Sequence, residues 1–128
     1  MRIAELFGAF DSEGMPAPAH ERPSLDDAER EAVLRFLSGG TIAARTSGRT
    51  IDRIDASRGK VVPASFATDG TWMWSRAVAY YLREHDVVPE PAFLAHIREC
   101  GYAAAQPGPA ELSVAVRMLR SAERDNGL

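Results

Sequence analysis

Between Ser24 and Gly40 the chain places Leu25, Val33, Phe36 and Leu37 at the spacing of one helical face. Ser24 is expected to cap this helix, with Asp26 and Asp27 in the first turn and Gly39 and Gly40 ending it. Asp26 with Arg30 and Glu31 with Arg35 form i,i+4 pairs on the opposite side. From Thr41 to Phe66 the pattern changes to short apolar and polar alternation punctuated by Gly48 and Gly59. This predicts strands over 41–46, 49–54 and 60–66, with Pro63 marking the third as an edge strand or a bulge.

"TDGT" reads as a turn leading into a strand "TWMW", where alternation puts Trp72 and Trp74 on one side and Met73 on the other. Ser75 is placed to cap a helix to Glu84 or His85 that buries Ala77, Val78, Tyr81 and Leu82. Tyr80, rotated about 100° from Tyr81, is expected to be partly exposed. A helix over 90–100 follows "VVPEP", with Phe93, Leu94 and Ile97 inward and Gly101 as C-terminal cap. The last helix, 110–124, buries Leu112, Ala115, Val116 and Leu119 and shows Arg117, Arg120 and Arg124 outward. Upstream, Ile3, Leu6, Phe7 and Phe10 are expected to dock a short helix or strand, and residues 11–24, rich in proline, form an extended loop. The sum is an α+β fold in one domain spanning 1–128: a small antiparallel sheet of three to four strands packed by about four helices.

Composition narrows the function. The 128 residues carry a formal net charge of −3, which argues against attraction to nucleic acid or to anionic membrane surfaces. No apolar run approaches the ~20 residues of a membrane span, and the start does not read as a secretory signal. With Cys100 the lone cysteine, a reducing, cytoplasmic setting is expected. All but one of the fifteen basic residues are arginine, the exception being Lys60. A GC-rich coding sequence explains that bias more simply than a need for bidentate contacts.

Candidate chemistry is thin, and no catalytic residue, cofactor or metal is assigned. Ser75, His85 and Asp69 have the residue types of a hydrolase triad, yet Ser75 and His85 on one helix would stand about 15 Å apart. His96 and Cys100 are spaced i,i+4, but two ligands are too few for zinc. Asp52, Asp55 and Asp69 lie in strand and turn context, where turn-forming and arginine-pairing roles come first, beside Arg49, Arg53 and Arg58. Trp72 and Trp74 stay open between core packing, the leading reading, and a binding interface.

The run Thr68-Asp69-Gly70-Thr71-Trp72-Met73-Trp74-Ser75, with Ala79-Tyr80-Tyr81-Leu82 and then Pro89, Phe93, His96 and Ile97, resembles a pattern of small bacterial immunity proteins, including actinobacterial ones. The resemblance covers about residues 61–102. It implies a non-enzymatic cytoplasmic protein that neutralises a cognate toxin by binding it, often through an acidic surface against a basic cleft. The toxin's identity stays open, an NAD-degrading enzyme being one class considered. On this reading Asp69, Thr71, Trp72, Tyr80 and Arg58 are the partner-binding candidates. Another regulatory interaction module, or a small-molecule-binding protein or enzyme of unknown substrate, is the alternative.

Overall fold

The structure, a computed structural model, describes residues 1–5, 25–44 and 48–125, with side chains of the final helix to 121. The expected loop over 11–24, the docking of Leu6, Phe7 and Phe10, and the outward face of Arg124 lie outside the described residues, while the cap expected at Ser24 falls instead to Asp26. Elements run β1 (Arg2–Ile3), α1 (Asp27–Gly39), β2 (Thr41–Ala44), β3 (Arg49–Ile51), β4 (Lys60–Pro63), β5 (Phe66–Thr68), β6 (Trp72–Ser75), α2 (Ala77–His85), α3 (Pro91–Glu99) and α4 (Pro109–Asp125). A single 3-10 turn, Ala56–Arg58, interrupts the β3–β4 connection. The architecture is α+β, and among the described residues no helix is long and apolar enough to cross a membrane.

The sheet differs from the all-antiparallel expectation. Its order is β1-β6-β5-β2, with β1 parallel to β6 and the other pairs antiparallel. The predicted strand over 60–66 is two strands. Among the described residues β4 pairs only with β3, in a separate ribbon with Arg49 opposite Pro63, so proline sits where one side of the strand carries no ladder from them. Past Ala64 and Ser65 the chain enters β5, and the Ser65 carbonyl accepts from the Arg76 N–H at 2.8 Å. Ile3 is 37% exposed, and Ala4 beside it is the residue that enters the core.

Alternation along β6 builds a core on each side of the sheet. Trp72 and Trp74 face α1 and α3, where Trp74 meets Phe36 and Phe93 with ring centroids 5.4 Å apart in both cases. Met73 points the other way, onto Ala115 and Leu119 of α4. The two tryptophans are therefore core residues, 5% and 0% exposed. The Trp74 indole N–H donates to the Leu37 carbonyl at 3.1 Å, serving a carbonyl near the end of α1 that the helix itself leaves open. Gly40 is extended, with φ −71°, and its role is space: a Cβ there would stand 2.5 Å from Trp74 Cζ2.

Capping departs from the sequence reading by a residue or two. Asp26, not a first-turn acid, caps α1 by accepting from the Glu29 N–H at 2.7 Å, and Arg30 pairs at i,i+3 with Asp27 at 2.8 Å. Arg76 occupies the cap position of α2 while Ser75 Oγ accepts from the Ala77 N–H at 3.1 Å. Proline at its first turn opens α3, as its fixed φ favours. On α4, Ala115 and Leu119 are buried, whereas Leu112 and Val116 are only half-buried.

Tyr80 is buried, 6% exposed, against the expectation of partial exposure. The single-face helical wheel fails because α2 is covered on two sides. Val78 and Leu82 enter the tryptophan core, while Ala77, Tyr80 and Tyr81 pack with Val62 of the β3–β4 ribbon and with Val87.

Candidate functional site

Two buried aspartates organise the groups that look chemical in the sequence. In "TDGT", Asp69 Oδ1 accepts from the N–H groups of Thr71 at 3.0 Å and Trp72 at 2.9 Å, and Gly70 supplies the required left-handed residue, φ +95°. In "IDRID", Asp52 Oδ1 accepts from the N–H groups of Ile54 and Asp55, each at 2.8 Å. Each carboxylate thus spends one oxygen on its own turn and turns the other on a helix. Asp52 Oδ2 takes the Tyr80 hydroxyl at 2.6 Å and lies 2.7 Å from His85 Nε2; Asp69 Oδ2 lies 2.6 Å from His96 Nε2. The first brace ties the β3–β4 connection to α2, and the second ties the β5–β6 turn to α3. A third link, nearer the surface, joins α1 to α3, where Arg98 grips Glu29 with two nitrogens at 2.8 and 3.0 Å and Tyr102 donates to the same carboxylate.

Burial pushes the Asp52 carboxyl up, but Tyr80, His85 and the two backbone N–H groups pull it further down, leaving it well below the ordinary carboxylate range. The hydrogen bonds from Arg98 and Tyr102 lower Glu29 from 4.5 to about 2. Both groups bind protons less readily in the folded chain than in the unfolded one. Their stabilisation is complete above the unfolded-state values and is lost as pH falls through the folded-state ones. Urea unfolding measured from pH 6 downward should show stability declining below about pH 4.5, and Asp52→Asn should flatten that decline.

The turn-forming role expected of Asp52 and Asp69 is present, and the histidine partners are what sequence reasoning missed. They stand 33 and 27 residues away, with no spacing to announce them. No hydrolase triad forms: Ser75 serves the Ala77 N–H, and Asp69 pairs with His96 rather than His85. Cys100 Sγ approaches His96 Nε2 at 3.6 Å, which gathers cysteine, histidine and aspartate. The sulfur lies 3.9 Å from Nδ1 as well, so it stands over the ring between the two nitrogens, whereas a nucleophilic relay needs it in line with the nitrogen opposite the acid. Burial also pushes the Cys100 thiol up, away from the reactive thiolate.

Of the partner-binding candidates, Asp69, Trp72 and Tyr80 are buried and held by the contacts above, and Tyr80 shows only an edge to the cleft between α1 and α2. Thr71 is exposed. Arg58 is exposed but bridges Asp55 at 3.4 Å and Glu84 at 2.9 Å. The structure gathers a different surface between α1 and α2, a cleft of about 370 Å³. Arg35, Arg76 and Arg83 line it together with Leu34, Pro63 and Tyr80. Arg83 meets Glu84 at 3.2 Å, while the Arg35 and Arg76 guanidinium groups meet no carboxylate among the described residues.

No family model, no curated protein and no solved structure matches this chain. Any functional reading therefore rests on the geometry and on the sequence pattern around "TDGTWMW".

Proposed function

We propose that the chain is a non-enzymatic binding protein that neutralises a cognate bacterial toxin, and that the α1–α2 cleft is its contact surface. The observation that carries this reading is the pair Arg35 and Arg76, two guanidinium groups without acidic partners among the described residues, beside apolar walls. Arginine over apolar surface is the composition of binding hot spots, and its fork suits a carboxylate supplied by another protein. Support also comes from the inside of the fold: Asp52, Asp69, Tyr80, His85 and His96 are engaged with one another, which leaves a braced scaffold that binds with little reorganisation. The charge logic reverses the sequence expectation of an acidic face. The chain is net negative, but this cleft is locally basic and calls for an acidic segment on the toxin.

Co-expression with candidate toxins, taken first from genes neighbouring its own, tests the proposal. The wild-type chain should restore growth, and the Arg35→Glu, Arg76→Glu double variant, folded by circular dichroism, should not. Full protection by the double variant removes the cleft from the account, and no protection by the wild type removes the toxin reading.

A further inference from the structure

The side chains of Asp69, His96 and Cys100 present one oxygen, one nitrogen and one sulfur whose positions all lie within 4.8 Å of one another. We propose that these three residues form a zinc site that ties the β5–β6 turn to α3. The set is assembled from two elements: Asp69 comes from the turn, while His96 and Cys100 share a face of α3 one turn apart. A tetrahedral zinc at its usual ~2.3 Å from sulfur and ~2.0 Å from nitrogen holds those two donors about 3.5 Å apart. Cys100 Sγ and His96 Nε2 stand at 3.6 Å.

Two adjustments complete the site: Cys100 Sγ, which also lies 3.9 Å from His96 Nδ1, must swing from over the ring toward the in-plane lone pair of Nε2, and the carboxylate must draw back. Asp69 Oδ2 is 2.6 Å from Nε2, a hydrogen-bond distance, and the two must part to about 3.3 Å to share a tetrahedral ion. Asp69 Oδ1 keeps its two backbone N–H donors meanwhile, so the turn that presents the carboxylate stays built and serves as the outer support that ligands require. Trp72 and Phe36 flank the imidazole at 6.2 and 6.1 Å between ring centroids, giving the site apolar walls. His96 keeps 15% of its side chain exposed, which leaves an approach for the ion and for water as fourth ligand. On coordination the Cys100 thiol releases its proton to solvent and ligates as thiolate. The mixed oxygen, nitrogen and sulfur set favours zinc over the hard cations calcium and magnesium, which take oxygen.

The test uses the full chain, stripped with chelator and titrated with Zn²⁺ in a calorimeter, with metal content measured after gel filtration. One equivalent should bind, and Cys100→Ser and Asp69→Asn should each weaken binding by on the order of 100-fold or more. Cobalt substitution should give a sulfur-to-cobalt absorption band in the wild type and none in Cys100→Ser. Because Asp69→Asn also disturbs the turn, Cys100→Ser is the deciding variant. Failure of the wild type to retain zinc, or unchanged affinity and band in Cys100→Ser, would overturn the site.

Discussion

Asp52→Ala is expected to destabilise the fold by about 3–5 kcal/mol, because the carboxylate is the shared partner of four groups and is itself fully buried. Removing it strands the Tyr80 hydroxyl, the His85 ring and two backbone N–H groups in a space that alanine does not fill. By contrast, Tyr80→Phe removes one donor and leaves a carboxylate with three partners, so its cost should be about 1 kcal/mol. Urea denaturation of both variants at neutral pH measures the difference. Near-equal losses would mean that Asp52 does not act as the hub of this brace.

Trp74→Ala should cost a similar amount, about 3–5 kcal/mol, through a different mechanism. The indole is 0% exposed, stacks near Phe36 and Phe93, and donates its N–H to Leu37 at the end of α1. Its neighbours include Gly40, whose missing side chain leaves the room the ring occupies. Truncation therefore opens a cavity where α1, α3 and the sheet meet. The melting temperature should drop by on the order of 10–20 °C in calorimetry. A loss under about 2 kcal/mol would show that the two-sided core collapses readily around the vacancy.

The helices were legible because their apolar residues keep the helical period and their ends carry proline or glycine: Pro91 opens α3 and Gly101, φ +62°, follows it. The opposed faces of Trp72 and Met73 could be read from strand alternation alone. Contacts between distant segments were not legible. The parallel pairing of two-residue β1 with β6 has no local signal, and neither does the split of 60–66 into strands of separate sheets. The same limit hid the site. Asp52 and Asp69 announce turns by their neighbours, but His85 and His96 reach them only through the packing of α2 and α3. Tyr80 was misplaced because a helical wheel has one buried face, whereas α2 lies between the tryptophan core and the β3–β4 ribbon. The arginine cleft likewise joins Arg35 of α1 to Arg76 at the start of α2, 41 positions on.

The most direct measurement is a calorimetric titration of the toxin proposed as partner, purified, with the wild-type chain and with the Arg35→Glu, Arg76→Glu double variant, at low and moderate salt. The account predicts one-to-one binding by the wild type that weakens as salt screens the charges, and a loss of at least about 100-fold in the double variant. Equal affinity of the two chains at both salt concentrations would contradict it.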